Sequence, residues 1–207
     1  MCVRFEKTMV AGFEPAIEGM RFPTDTNDKS DSYTDENGNF ILGKDDARVA
    51  KMLIRQGASD AKFQRQIWVW VTITAPLYFW SEFKTYRQGT SDNSASTMRG
   101  LHKREVTLYD FETDGYSMED FAHLNADIAY LNKLRAKWLD TRKVSDRLMM
   151  KKHLPDSYML KNKICINYQT LTKIYHERRK HALPEWSIDF INWMMDLPYA
   201  KELIIGE

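Results

Sequence analysis

The sequence predicts an α+β fold in which a mixed sheet is covered by several long helices. A core strand is indicated at 67–74, IWVWVTIT, where Ile and Val alternate with Trp and Thr. Long helices are indicated further along the chain, where apolar residues recur every three to four positions. With 207 residues and 43% hydrophobic content, the chain can bury one sizeable core, so we expect a single domain over residues 1–207.

Before this strand, short elements alternate with polar connectors. Residues 5–13 are a short strand, or a strand followed by a turn, and the segment at about 20–40 is a polar surface insertion punctuated by Pro, Asp, Asn and Gly. Residues 45–56 place apolar side chains at helical spacing, with two aspartates at the start and Gly57 just after the end. Acidic first turns and a glycine after the last turn are typical of helix termini, so this segment is predicted to be a helix.

After the strand, the sequence predicts a short aromatic helix, a polar loop and then mainly helices. The aromatic helix covers 77–84 and the polar loop covers 85–99. The strongest later helix starts at Ser117, an N-cap type of residue that is followed by acidic residues in the first turn. The later segments predicted to be helical are Ser117–Arg142, Asp146–His153, Ile164–His181 and Trp186–Leu197.

The composition excludes several functional classes. A formal net charge of +1 and a pI of about 7.7 give no global field toward nucleic acid or an anionic membrane, so local basic clusters must supply any anion binding. No segment approaches membrane-spanning length and the N-terminus shows no signal peptide, so we expect a cytoplasmic protein with no membrane partner. Cys2 and Cys165 are the only cysteines in the sequence, and so few thiols in a chain of this length suit a reducing compartment. The spacing of the five histidines predicts no metal site.

The polar loop after the aromatic helix is the strongest candidate for a ligand site. It places hydroxyl and amide groups between Arg87 and Arg99, and such donors hold a phosphate when they act together with guanidinium forks. The alternative is a turn-rich connector, since Ser, Thr and Asn often satisfy their own backbone. Arg178, near the end of a predicted helix, likewise either contacts a ligand or lies on a solvated face.

The order of these elements resembles the flavin-dependent thymidylate synthases over roughly residues 61–195. The family has an Arg-His-Arg signature, and the corresponding segment here is Thr85-Tyr86-Arg87. The polar loop corresponds to the family's loop in which a Ser and an Arg hold dUMP. Further along the chain, the family's Asn, Arg and Trp are matched at nearly the same spacing by Asn167, Arg178 and Trp186. The resemblance implies the family's α+β fold and a homotetramer whose pockets form between subunits. The ligand-binding residues that it implies are Tyr86, Arg87, Thr90, Ser91, Asn93, Ser94, Ser96, Arg99, Asn167 and Arg178.

Several residues depart from the family pattern. Thr85 and Tyr86 replace two of the three signature residues, Phe63-Gln64-Arg65 lacks the family's histidine near the flavin, and Gln169 replaces an arginine. Because hydride transfer needs a fixed isoalloxazine ring, we expect these losses to damage catalysis before they damage phosphate binding. The sequence therefore favours a nucleotide-binding protein without a cofactor.

Two other functions stay open from the sequence. One is an active FAD-dependent enzyme that methylates dUMP, and the other is a purely structural or protein-binding role. The pattern is also similar to small phage and prophage proteins, which favours sequestration of a nucleotide or a nucleotide signal in the host cytoplasm.

Overall fold

A four-stranded sheet is the centre of the computed structural model, which describes residues 2–207. The strands are β1 (Arg4–Ala11), β2 (Tyr33–Thr34), β3 (Phe40–Ile41), β4 (Trp68–Pro76), β5 (Thr90–Ser94) and β6 (Met159–Asn167). The α-helices are α1 (Phe13–Arg21), α2 (Lys44–Gln56), α3 (Leu77–Phe83), α4 (Thr97–Gly100), α5 (Met118–Thr141), α6 (Val144–Lys152), α7 (Tyr168–Arg178) and α8 (Ile191–Met195). Shorter 3₁₀ and π-helical turns lie at Phe22–Thr24, Asn27–Lys29, Lys62–Gln66, Leu108–Asp110, Glu185–Phe190 and Lys201–Ile205.

The sheet has the order β1-β4-β6-β5, and every neighbouring pair is antiparallel. The α+β class is confirmed, whereas the predicted mixed sheet is wrong. β4 and β5 do run in the same direction, because the chain returns through α3 to the end of the sheet where β4 began. β6 lies between these two strands, so no parallel pair forms.

β4 is buried on one face, as its alternating sequence predicts. Trp68 and Trp70 lie on the opposite face and are partly exposed. Ile164 and Ile166 of β6 continue the buried face in the neighbouring strand. The aliphatic residues of the alternating segment are all fully buried: Ile67, Val69, Val71 and Ile73.

Two strands lie where the sequence predicts other structure. β6 ends at Asn167, so the predicted helix Ile164–His181 is wrong at its start and α7 begins at Tyr168. Pairing of β6 with strands on both sides overrides the helical spacing of its apolar residues. β5 occupies the middle of the predicted polar loop, where residues of low strand propensity pair with β6 at the edge of the sheet.

The predicted helices α2 and α5 are confirmed, and their ends carry the signals that identify them. At the end of α2, the N–H of Gly57 donates to the carbonyl oxygens of Leu53 and Ile54 at a φ of 120°. At the start of α5, the Ser117 hydroxyl accepts a bond from the N–H of Asp120 (3.2 Å), whose carboxylate accepts one from the N–H of Ser117 (2.8 Å). Among residues 2–207, no helix has both the length and the apolar character needed to cross a membrane.

The polar insertion is tied to the rest of the chain through one buried carboxylate. Asp46, in the first turn of α2, is 0% exposed and accepts hydrogen bonds from the hydroxyls of Ser30 and Ser32 and from the guanidinium of Arg21. Burial disfavours the charged form of this carboxyl, but the hydroxyls and the guanidinium together outweigh burial and lower the pKa of Asp46. The insertion is mostly exposed, as predicted, and this carboxylate ties its start at Arg21 and its middle at Ser30 and Ser32 to α2.

The buried apolar residues form two clusters. The larger one packs α1, α3, α7 and the C-terminal helices against one face of the sheet. The smaller one lies among α5, α6 and the residues that precede them, and its most buried members are Leu131 and Met150. All of the second cluster belongs to the segment 97–158, which connects β5 to its direct neighbour β6.

Candidate functional site

A cleft of about 1040 Å³ lies beside the start of α7. Three segments that are far apart in the sequence line it: residues 54–65, the turn 85–89 after α3, and residues 167–176 of β6 and α7. Its Arg and Lys residues are Arg65, Arg87 and Lys173. No Asp or Glu occurs among the lining residues that the structure describes, so the cleft presents a positive surface.

The turn 85–89 is held against α7 at a glycine. Gly89 has a φ of +65°, and its carbonyl accepts a bond from the N–H of Asn167 (3.0 Å). A Cβ at this position would overlap the side-chain amide of Asn167 and lie 2.6 Å from Oγ1 of Thr170. Both the backbone angle and the close approach therefore require glycine here.

The N-terminus of α7 opens onto the same cleft. Asn167 is its N-cap: Oδ1 accepts a bond from the N–H of Thr170 (2.9 Å). Thr170 Oγ1 in turn lies 2.8 Å from the carbonyl oxygen of Gln88. This cap joins the turn to a helix of eleven residues whose positive end favours anions.

Solved structures of known proteins share this arrangement of elements. A structure of the flavin-dependent thymidylate synthase ThyX from Helicobacter pylori, complexed with FAD and dUMP, matches 99% of this chain and 98% of its own with a TM-score of 0.65 and 16% identity. The UMP/dUMP methylase PolB from Streptomyces cacaoi, bound with 5-Br dUMP, matches 97% and 90% of the two chains with a TM-score of 0.61 and 16% identity. The chain has the flavin-dependent thymidylate synthase fold. A scan against protein-family models gives no match, and a search of curated proteins also gives none.

The similarity inferred from the sequence is thus confirmed at the level of the fold. At this low identity it assigns no ligand, so the site on the thymidylate synthase fold must be judged from the residues of this chain. Three of the predicted residues, Tyr86, Arg87 and Asn167, line the cleft. The guanidinium of Arg87 is exposed and forms no hydrogen bond or ion pair with the described part of the chain, which leaves it available to a ligand.

Tyr86 and Arg178 are engaged with each other. The ring of Tyr86 is 5% exposed, and its hydroxyl donates to Glu177 (2.8 Å) and accepts from Nε of Arg178 (2.9 Å). Burial raises the pKa of Tyr86, and the bond to Glu177 adds to this effect while Arg178 opposes it. Nη1 of Arg178 donates to Glu82 (2.7 Å) and its guanidinium lies 4.8 Å from the ring centre of Trp186, so Arg178 is held inside its own chain and does not line the cleft.

The predicted hydroxyl and amide residues follow β5 away from the cleft. Thr90 pairs with Ile166 at the cleft end, and Ser94 pairs with Asn162 further along β6. Thr90 also lines a smaller cavity of about 300 Å³ beside Arg87. Strand alternation places the intervening residues Ser91 and Asn93 on one face and Thr90 and Ser94 on the other.

The other two predicted residues of this segment lie beyond β5. Ser96 accepts a bond from the N–H of Arg99 (3.2 Å) and caps α4, and the side chain of Arg99 is exposed. Arg87 and Arg99 therefore lie beyond opposite ends of β5, whose first and last residues are about 14 Å apart at 3.4 Å per residue. Within one chain they do not bracket a single phosphate.

Arg65, Lys173 and His176 also line the cleft, although the sequence alone does not predict them as ligand-binding residues. Each comes from a helical turn or helix whose charged residues look like an ordinary solvated surface. The one local signal was Gly89 directly after Arg87 and Gln88, because a glycine between a helix and a polar strand often marks a close approach.

Proposed function

We propose that this protein binds a nucleotide through its phosphate in the cleft beside α7, without using flavin chemistry. The observation that carries the proposal is the positive charge of the lining, which contains Arg65, Arg87 and Lys173 and, among its described residues, no carboxylate. Lys173 lies 3.9 Å from Glu177, which is outside the lining, so Arg65 and Arg87 supply the charge that has no carboxylate partner in the described part of the chain. Arg65 is held by a bond from its Nε to Gln169 (2.7 Å), which leaves the rest of its fork open. A phosphate supplies the negative charge that such a surface favours.

The proteins that share this fold support a nucleotide over other anions. The ThyX structure carries dUMP and FAD, and the PolB structure carries 5-Br dUMP. This chain keeps the fold over almost its whole length. A pyrimidine nucleotide is therefore the first ligand class to test.

The lining fits a phosphate better than it fits an isoalloxazine ring. A flavin ring needs a flat apolar or aromatic surface and hydrogen bonds to its ring nitrogens. Tyr86 is the only Phe, Tyr or Trp among the described lining residues, and its ring is buried with its hydroxyl already bonded at both Glu177 and Arg178. The side chains at the signature positions of this chain thus supply no stacking surface for FAD.

We further propose that a homotetramer completes the pocket. Arg99 and the outward hydroxyl groups of β5 point away from their own cleft, so they are available to the cleft of another subunit. Mixing Arg87→Ala subunits with Arg99→Ala subunits should then restore part of the binding that each variant lacks alone. A monomer by light scattering that binds nucleotide with full affinity contradicts the shared pocket.

Isothermal titration with dUMP, UMP, dTMP and inorganic phosphate tests the binding proposal directly. Arg87→Ala should weaken the binding of the preferred nucleotide by roughly 10- to 150-fold, the effect of losing a hydrogen bond to a charged group worth about 1.5–3 kcal/mol. The affinity of Arg87→Lys should lie between those of wild type and Arg87→Ala, because lysine keeps the positive charge but cannot make the two parallel hydrogen bonds of a guanidinium group. Arg4→Ala, an exposed residue of β1 outside both cavities, is the matched control.

The titration, together with the colour and activity of the purified protein, distinguishes nucleotide sequestration from flavin-dependent methylation. Equal affinity in wild type, Arg87→Ala and Arg4→Ala means that the cleft is not the nucleotide site. Binding of a nucleotide by colourless protein that does not consume it supports sequestration, the role suited to a phage protein that removes a nucleotide or a nucleotide signal. Yellow protein that methylates dUMP when given a reductant and methylenetetrahydrofolate supports the alternative, an active flavin-dependent thymidylate synthase.

A further inference from the structure

We infer that Cys2, Glu112 and Asp114 form a binding site for a thiophilic divalent cation of the zinc class. These residues lie near the end of the sheet where β1 begins, since Arg4 pairs with Thr74 of β4. The nucleotide cleft lies at the other end, beside Asn167, which pairs with Trp68. The two sites are therefore separate, and neither proposal depends on the other.

The three side chains already have the spacing of a shared ligand. Their sulfur and oxygen atoms all lie within 4.8 Å of one another, and Sγ of Cys2 lies 3.0 Å from Oδ2 of Asp114. A tetrahedral zinc ion bound at 2.3 Å to sulfur and about 2.1 Å to oxygen separates its ligand atoms by about 3.5 Å. The separations in the structure therefore bracket the value that a shared zinc ion requires.

Among residues 2–207, the charge around these three side chains is negative and has no cationic side chain to balance it. Four carboxylates gather here, and none of them forms an ion pair with a Lys, Arg or His among residues 2–207: Glu112, Asp114, Glu185 and Asp189. Asp189 is satisfied differently, because Oδ2 accepts bonds from the N–H groups of Cys2 (2.8 Å) and Val3 (2.9 Å). Glu112 accepts one backbone bond, from the N–H of Asp114 (2.6 Å), and Asp114 accepts one from the thiol of Cys2 (3.0 Å).

Glu185 is the independent sign that a cation belongs to this group. It is 3% exposed, and its Oε2 is buried with no hydrogen-bond partner in the described part of the chain. Its Oε1 accepts a bond from the hydroxyl of Tyr78, which also reaches Oε2 of Glu112 at 3.5 Å. A buried carboxylate oxygen without a donor is strongly unfavourable, and a cation held at the adjacent Glu112 offsets that charge.

The donor set selects the kind of cation. A thiolate sulfur with carboxylate oxygens suits zinc, whereas magnesium and calcium require oxygen ligands alone. Histidine spacing in the sequence gave no sign of this site, because its ligands come from the start of the chain and from a loop more than a hundred residues later. Three protein ligands leave one tetrahedral position for water.

Titration of the chelator-treated full chain with zinc chloride, and with cobalt chloride as a spectroscopic probe, tests the site. We expect one high-affinity ion per chain, a sulfur-to-cobalt charge-transfer band and a higher melting temperature with zinc but not with magnesium. Cys2→Ser should abolish the charge-transfer band. Cys165→Ser is the matched control and should keep it, because Cys165 lies in β6 opposite Trp70 and Ser91, away from the acidic group.

Two further variants keep the test decisive if Cys2→Ser folds poorly. Asp114→Asn, at an exposed loop position, should remove the thermal effect of zinc. Glu185→Gln should weaken zinc binding by roughly 10- to 100-fold, because Glu185 reaches the ligand Glu112 through the hydroxyl of Tyr78. The inference is overturned if wild type and Asp114→Asn bind zinc equally, or if Cys165→Ser loses the cobalt band as fully as Cys2→Ser. Nucleotide affinity in the Asp114→Asn protein should stay unchanged.

Discussion

Replacing Gly89 with alanine probes the contact that joins the turn 85–89 to α7. Alanine at a φ of +65° costs about 1 kcal/mol for the left-handed backbone. Its Cβ would also displace the side chains of Asn167 and Thr170. Loss of the N-cap adds about 1 kcal/mol and loss of the Thr170–Gln88 bond adds about 1 kcal/mol, so we expect the free energy of unfolding to fall by about 3 kcal/mol.

Equilibrium unfolding in urea measures this loss. The same substitution at a second glycine separates the backbone cost from the cost of the close approach to α7. Gly38 has a similar φ of +82° and nothing within 4 Å of the position where a Cβ would stand. Gly38→Ala should therefore show only the backbone effect of about 1 kcal/mol. If Gly89→Ala destabilises the protein no more than Gly38→Ala does, the close approach to α7 is not a real constraint.

Two other polar contacts give predictions that separate stability from binding. Asp46→Asn should lower the free energy of unfolding by about 3–5 kcal/mol in urea, because it leaves the buried Arg21 without its full partner. The lowered pKa of Asp46 means that its contribution is complete above about pH 4 and is lost as the pH falls through the depressed value, so melting temperatures of wild type and Asp46→Asn should converge in acid. Arg178→Ala should reduce stability by about 1–2 kcal/mol through the lost bond to Glu82, yet change nucleotide affinity less than twofold; a loss as large as that of Arg87→Ala would place Arg178 at the ligand.

The sequence predicted those elements whose signals are local. The alternation of 67–74 reports a strand with one buried face, and the residues at the ends of α2 and α5 make the capping bonds that their types imply. No glycine or proline separates β6 from α7, so the sequence pattern predicts one helix that starts within the end of β6. The boundary is Asn167 alone, which ends the strand and caps the helix.

The site was predicted only in part, because its geometry depends on contacts between distant segments. Arg87 and Asn167 were identified, but the sequence could not show that Arg65 and Lys173 face the same cleft. The polar residues of β5 predict a loop because Ser, Asp and Asn are poor strand formers, and only pairing with β6 gives them an extended backbone. That strand carries Arg99 away from the cleft in its own chain.

The connection between β5 and β6 has a consequence for how this chain can vary or be engineered. Because Ser94 and Asn162 are partners in neighbouring strands, the whole segment that carries α5, α6 and the second apolar cluster leaves and re-enters the sheet at almost the same point. A short hairpin turn would join the strands equally well. The three segments around the cleft all lie outside this excursion, and Arg99 lies at its start in α4. Helices of other lengths, or an inserted reporter domain, can therefore replace α5 and α6 without rebuilding the ligand site.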